Sequence, residues 1–458
     1  MNRRSRLLVS LVAAPSLACT CATAPAVAQE PQPMALSSDG AFKALNIQDL
    51  LRPNPNQNAA LAQALGVFAA LGAGIGVLAL LLTTGGGSSS RTTTAPTPAP
   101  SPSTAQQPTT STVIPTPSSK TNPDSFAGRV EALKRLVAAD TTGNTALGWI
   151  APGGPQLVTP THDGSGQATH PSVVYDENGW NGYKYWMAMT PYPANNEAHE
   201  DPNILASNDG TTWVVPEGLT NPIDDQLGKP NPHNSDAQLQ FGPDGNLVLT
   251  WRKVDRLHHK KNKIYVATSS DGVHWSEPVQ IWEGDRNTEN SVLLSQALIW
   301  TGSQWRLYGV QYHDDHNDLV YWESKTNDLA INNWNGPIIN EVTPAADADR
   351  RFWHVDVQRY GDEYLGLMMD APLQATTDGN LYFIRSTDGL HWDRSPVPLI
   401  AHADAGYANL YKSTFVPRGQ GTDLTLELFY AGYTSKKPTV WHINKTAATH
   451  VGTSSAEN

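Results

Sequence analysis

Cysteine is nearly absent from this 458-residue chain: there are two, Cys19 and Cys21, both close to the N-terminus. No CxxC cluster exists, so thiolate metal sites have no basis. HExxH, Gly-x-Ser-x-Gly and nucleotide-binding glycine motifs are also missing, which leaves those chemistries unsupported. Charge is sparse too. Charged residues make up 16 %, with 31 basic against 43 acidic and a net charge of −12. A nucleic-acid partner requires a basic face, and the composition offers none.

Gly, Pro, Ser, Thr and Asn are abundant, and there are 14 Trp and 15 Tyr. Aromatic faces suit sugar rings, although core packing is the commoner use of a single Trp. The first 28 residues read as a secretory signal: a basic start, an apolar stretch, then Ala26-Val27-Ala28 before Gln29. Arg3-Arg4 fits twin-arginine export poorly. Ser16 weakens a lipoprotein reading at Cys19. Cleavage after Ala28 would leave a chain with no cysteine and no need of disulfides.

Residues 59–82, AALAQALGVFAALGAGIGVLALLL, carry Gln63 as their only polar side chain. As a helix they would reach roughly 36 Å, enough to cross a bilayer. A buried core helix is the alternative, but the polar flanks offer no domain to bury it. Gly72 and Gly76 would let such helices pack closely. Lys43, Arg52 and Arg91 give no clear orientation. Residues 84–124 are a Gly/Ser then Pro/Thr/Ser linker, too poor in apolar side chains to order itself. Residues 125–145 hold a short amphipathic helix, FAGRVEALKRLVAAD, with Asp124 or Ser125 as its N-cap, packed outside the main domain.

From 146 to 446 the pattern becomes short alternating strands with Gly/Asn/Asp turns. One phrase recurs: ASNDGTTW ending at Trp213, ATSSDGVHW at Trp275 and RSTDGLHW at Trp392, with a degenerate copy ending at Trp334. Successive copies lie 62, 59 and 58 residues apart. The Asp-Gly belongs at a turn, where Gly tolerates positive φ and Asp bonds its own backbone. The last stretch lacks the turn but keeps the strands. Five units of about 60 residues, each long enough for four strands, predict an all-β five-bladed β-propeller. ALGWIAPG, ahead of the first unit, would supply a closing strand.

The phrase resembles the Asp-box of sialidases without its usual residue between Asp and Gly. It is more similar to the turns of five-bladed glycoside hydrolases of the arabinanase/xylosidase family 43 and of the invertase type. The resemblance covers roughly 146–446. A sialidase would need an arginine cluster, which the strand openings lack.

Polar residues open the first strand of every blade, where an apolar strand would be cheaper. They are His170, Asp236, Glu289 with Ser295, Trp353 with His354 and Asp356, and Lys412 with Ser413. Their convergence on one channel mouth is the best functional signal, against a solvated channel of paired charges. Glycoside hydrolysis needs two carboxyl groups across the scissile bond. The resemblance implies that Asp236 is the blade 2 Asp tuning pKa and Glu289 the acid, while His170 occupies the place of the base. Replacement bases are Asp356 or the blade 1 loop with Glu197, Glu200 and Asp201, although Glu197 and Glu200 read as a solvated loop. Asp236, Glu289 and Asp356 are therefore the candidate catalytic residues. His170, Asp201, Arg252, Trp353, His354 and Lys412 are the candidate substrate-binding residues.

Alternatives stay open at several positions. His354 and Asp356 share a strand face; they can bond hydroxyls, hold a cation or be core residues. Arg252 either orients substrate or pairs with a blade carboxylate. YHDDHND at 312–318 looks like a metal loop, yet its polarity suits a solvated turn, and HHKK at 258–261 is read the same way. No metal or cofactor is assigned; a structural cation in the central channel is compatible with the pattern. The expectation is an exported, envelope-tethered enzyme resembling glycoside hydrolases, acting on an extracellular polysaccharide or oligosaccharide, arabinofuranose-containing ones included. The membrane partner would be residues 59–82, with the propeller outside. The alternative is a non-catalytic carbohydrate-binding or adhesion propeller.

Overall fold

A computed structural model describes residues 122–226, 232–255, 261–285, 292–313, 315–373, 377–434 and 439–452. The signal segment, the hydrophobic segment 59–82, nearly all of the linker and Glu289 lie outside the described residues. Among the described residues, no helix is long and apolar enough to cross a membrane.

The described chain begins with helix α1, Phe126–Ala139. Ser125, rather than Asp124, is its N-cap; the Ser125 hydroxyl accepts from the Gly128 amide at 3.1 Å. Leu133 is fully buried, and the Arg129 guanidinium donates to Asp404 and to the Pro398 carbonyl. The helix thus lies against the last blades, as an outer brace.

Strand β1, Trp149–Ile150, comes next and belongs to the final blade. Blade 1 contains β2 (Ala168–Trp180), β3 (Tyr183–Pro191) and β4 (Asn203–Ser207). Its fourth position is only a bridge, Ala206 with Val214. Blade 2 contains β5 (His233–Phe241), β6 (Leu247–Asp255), β7 (Lys261–Ser269) and β8 (Val279–Asp285). Blade 3 contains β9 (Leu293–Trp300), β10 (Trp305–Tyr312), β11 (Asn317–Ser324) and β12 (Trp334–Ile339). In blade 4, β13 (Glu341–Thr343) runs parallel to β17 (His391–Arg394), outside β14 (Arg350–Tyr360), β15 (Glu363–Pro372) and β16 (Asn380–Ser386). Blade 5 begins after the short helix α2 (His402–Ala405). It contains β18 (Asn409–Leu410), β19 (Thr414–Arg418), β20 (Thr425–Tyr433) and β21 (Trp441–His450). Strand β1 pairs with β21, Trp149 opposite His450, so an early segment closes the ring. The sheets are five, antiparallel apart from β13, and sequential in the chain.

The repeated phrase does the same work in three blades. The Ser207, Ser269 and Ser386 hydroxyls accept from the amides of Gly210, Gly272 and Gly389 at 2.8–2.9 Å. The Asp209, Asp271 and Asp388 carboxylates accept from the two amides that follow each glycine, at 2.6–2.9 Å. All three glycines have φ between 67° and 77°, which only glycine adopts freely. The degenerate copy uses a different device. Asn333 bonds back to Thr326 and Asp328, and the Trp334 indole donates to Ile281 O of blade 2 at 2.7 Å.

The innermost strands β2, β5, β9 and β14 each carry a register shift near their start: at Thr169/Ser172, Ser235/Gln238, opposite Gly309/Val310, and at Phe352/His354. In the first three, His170, Asp236 and Ser295 sit there with φ of 53–54°. Blade 5 breaks between β18 and β19 at Tyr411, Lys412 and Ser413. Bulges re-aim side chains, and left-handed non-glycine residues cluster at functional sites. The same local distortion, repeated around the axis, brings the polar openings together.

Candidate active site

Asp236 lies at the centre and is fully buried. Its Oδ2 accepts from Arg252 Nε at 2.6 Å. Its Oδ1 lies 3.4 Å from His170 Nε2 and 3.4 Å from His354 Nδ1, and has no hydrogen-bond partner. Its backbone carbonyl accepts from Lys412 Nζ at 3.1 Å and from the Gln296 amide. Lys412 also donates to Gln296 O at 3.1 Å. Four blades therefore meet on one residue, with His354 supplied by a fifth strand opening.

Burial opposes ionisation of Asp236, but the Arg252 guanidinium, with the Lys412 ammonium, outweighs it and holds its carboxyl well below the usual range. Burial drives the histidines the other way: His170 falls to about 3 and His354 well below its ordinary value, so both rings are neutral. Burial also pulls Lys412 down to about 8.

His170 Nδ1 lies 2.8 Å from the Thr190 hydroxyl. The Asp236 backbone N–H donates to the same Nδ1 at 3.3 Å, and Nε2 faces Asp236 Oδ1 without a hydrogen bond. Neither nitrogen of buried His354 has a hydrogen-bond partner. Each unsatisfied buried polar atom costs about 1–3 kcal/mol. Two neutral imidazoles and one carboxylate, each with an atom to offer, lie with those atoms within 4.8 Å of one another. A divalent cation would satisfy all of them, and this donor set suits ions such as zinc, manganese or iron. The residues fit a metal.

A second layer adjoins this trio. Glu200 Oε1 is 3.6 Å from His170 Nδ1 and accepts from Ser235 Oγ at 3.3 Å; its Oε2 is 3.6 Å from His233 Nε2. His233 Nδ1 in turn lies 3.7 Å from Glu197. Burial, then the charges of Glu197 and Asp236, push the Glu200 carboxyl well above its usual range. Two carboxyls with opposite protonation thus approach different nitrogens of one imidazole.

Several residues expected at the site do other work. Asp356 is buried and accepts from Thr414 Oγ1 at 2.7 Å and Gln358 Nε2 at 3.0 Å, joining blade 4 to blade 5. Asp201 accepts from Asn234 Nδ2 at 2.7 Å and from the Gln226 amide, which fastens the blade 2 entry loop; burial raises it to about 7. Trp353 is 2 % exposed, because the β14 bulge turns it into the core beneath Arg351. It offers no open face to a sugar. Lys412 is 1 % exposed and spends its ammonium on two backbone carbonyls. Arg252 pairs with a blade carboxylate. The solvated-loop reading of Glu200 is corrected: it is 4 % exposed. Two short 3-10 turns, Pro193–Asn195 and Glu197–His199, carry it inward. His233, three residues before Asp236, was not singled out.

No family model matches the chain. A curated relative, an A type blood N-acetyl-α-D-galactosamine deacetylase of Flavonifractor plautii, is 26 % identical over 307 residues, covering 58 % of this chain. The chain spans 40 % of that relative's length. The solved N-acetylgalactosamine deacetylase from F. plautii, in complex with a blood group B trisaccharide, superposes with a TM-score of 0.58. It is 22 % identical, covering 66 % of this chain and 95 % of that one. A Penicillium chrysogenum α-L-arabinanase complexed with arabinobiose gives 0.42 at 14 % identity, covering 66 % and 98 %. The chain has the five-bladed fold. Five sequential sheets bear out the propeller read from the repeated phrase.

Proposed function

We propose that this propeller is a divalent-cation-dependent carbohydrate hydrolase that removes the acetyl group from an N-acetylated amino sugar. One observation carries the reading: His170, Asp236 and His354 turn unsatisfied donor atoms toward one point. An imidazole at the blade 1 position, where the arabinanase resemblance calls for a carboxylate base, changes a proton-transfer pair into a cation-binding set. The deacetylase activity of the Flavonifractor plautii relative supports the same choice.

A cation bound by these three residues would polarise the amide carbonyl as a Lewis acid. The chain's own groups do the rest. Arg252 keeps Asp236 ionised, and the Thr190 hydroxyl and the Asp236 backbone N–H hold the His170 ring in place. Glu200 in its ionised form takes a proton from the attacking water, and the higher proton affinity that burial gives it suits it to hold that proton. It then gives that proton to the departing amine as the C–N bond breaks and acetate leaves.

Glycoside hydrolysis is the second reading. The opposed protonation of Glu200 and Asp236 favours it, as an acid and base pair requires. The two readings separate in one experiment. The full-length protein is incubated with N-acetylgalactosamine-terminated oligosaccharides and, separately, with arabinan and xylan. Acetate release that a chelator and His354→Ala both abolish supports deacetylation. New reducing ends, unaffected by chelation, would replace it with glycoside hydrolysis. Binding without any product would leave a carbohydrate-binding module.

The proposal includes export and envelope tethering, supported by the signal-like pattern of residues 1–28, the apolar run 59–82 and the linker. Cell fractionation of the tagged full chain tests it. Recovery in the cytosolic fraction would count against it.

A further inference from the structure

We infer that the turn joining β10 to β11 is a separate binding site for a divalent transition-metal ion, held by His313, His316 and Asp318. This inference does not rest on the function proposed above. His313 Nε2 is 3.2 Å and His316 Nε2 3.6 Å from the same oxygen, Asp318 Oδ2. The ligand atoms of all three residues lie within 4.8 Å of one another. The two imidazoles stack nearly parallel, with centroids 4.4 Å apart and planes 8° apart.

Three further features mark a prepared site rather than a solvated hairpin. His316 Nδ1 lies 2.6 Å from Asp315 Oδ1. That bond fixes the tautomer in which Nε2 carries the lone pair, as carboxylates do behind histidine ligands of metals. His313 Nε2 is buried and makes no hydrogen bond, with Asp318 as its ion-pair neighbour. The turn is also anchored. The His313 amide donates to His316 O at 3.0 Å and to Asn317 Oδ1 at 3.3 Å, while Asn317 Nδ2 donates to Phe352 O at 2.5 Å.

Charge explains why a cation fits better than protons. Two stacked imidazolium rings with centroids 4.4 Å apart would repel each other even with Asp315 and Asp318 beside them. A divalent ion replaces both protons with one centre. Two imidazoles and a single carboxylate select zinc, cobalt, nickel or copper over calcium or magnesium, which take oxygen-rich sets. Three protein ligands leave at least one tetrahedral position for water or a saccharide oxygen. The position has a use: Asn317 holds the turn to Phe352, two residues from His354, so the site stands beside the opening of blade 4.

The test is zinc titration by calorimetry on chelator-stripped, full-length protein. His313→Ala and His316→Gln should each abolish one binding event while the circular dichroism stays that of wild type. Asp315→Asn should weaken that event about 10–100-fold, the usual cost of losing an outer-shell partner. Asp236→Asn should leave it intact, because the central trio is a different set. Unchanged zinc stoichiometry and affinity in both histidine variants would overturn the inference. So would loss of every zinc event in Asp236→Asn protein whose circular dichroism is that of wild type.

Discussion

Replacing Lys412 by Met tests whether the axis is as dry as the packing implies. Lys412 reaches from blade 5 to two carbonyls, Asp236 O and Gln296 O, each at 3.1 Å. Methionine matches its length and leaves both carbonyls without that donor. At about 1–3 kcal/mol for each buried group left unsatisfied, the loss at pH 7 is about 2–6 kcal/mol. Recovery of the ammonium's own desolvation cost places it at the lower end of that range. The pH dependence is sharper. The folded-state pKa is about 8 against an ordinary 10.5, so it is depressed. Stability attributable to Lys412 therefore rises as pH climbs above 8, saturates above 10.5, and is lost as pH falls back through 8. Neutral lysine keeps two N–H groups, enough for both carbonyls, so deprotonation breaks neither bond. Between pH 7 and pH 9.5 the gap between wild type and variant should widen by about 2 kcal/mol, at 1.36 kcal/mol per pKa unit. Urea unfolding followed by tryptophan fluorescence at the two pH values measures it. Tyrosines that titrate in the same range are common to both proteins and cancel. A gap that stays constant or narrows would refute the desolvated, two-carbonyl arrangement.

Asp236→Asn should destabilise the fold by about 3–5 kcal/mol in denaturant titrations, because Arg252 is left as an unpaired buried charge; a loss under 1 kcal/mol would mean solvent reaches the pair. Glu200→Gln should abolish acetate release while leaving unfolding stability at pH 8 equal or higher. A carboxyl whose folded pKa is raised contributes stability below that pKa and loses it as pH rises. Gly272→Ala should cost about 3 kcal/mol in thermal unfolding, since φ is +77° and the new methyl would strike the buried Trp186 ring.

The ring was legible because its signal is periodic. Ser-x-Asp-Gly-x-x-Trp returns at every blade that uses that turn, and ALGWIAPG precedes the first blade where closure needs a strand. The convergence of His170, Asp236, His354 and Lys412 was legible for a related reason: polar residues opened strands that should be apolar. Their roles were harder to read, since a one-residue bulge decides which side chain faces the axis. At β14 it buries Trp353 and presents His354 beside Asp236. Glu200 was hidden by its neighbours, because PANNEAHED has the composition of an exposed loop, and only its two short turns bring Glu200 inward. His233 was hidden by spacing: residues three apart in a regular strand face opposite sides, and the bulge beside Asp236 removes that rule. Lys412 pointed to substrate because it opens a blade strand where an apolar residue would be cheaper, while its partners, two backbone carbonyls, leave no trace in a sequence.

The account turns on the central trio holding a cation. Anomalous diffraction from a crystal grown with manganese or zinc measures that directly. The account predicts a peak bonded to His170 Nε2, Asp236 Oδ1 and a nitrogen of His354, at about 2.0–2.2 Å from each. A fully occupied peak at the β10–β11 turn with none among these three residues would contradict it.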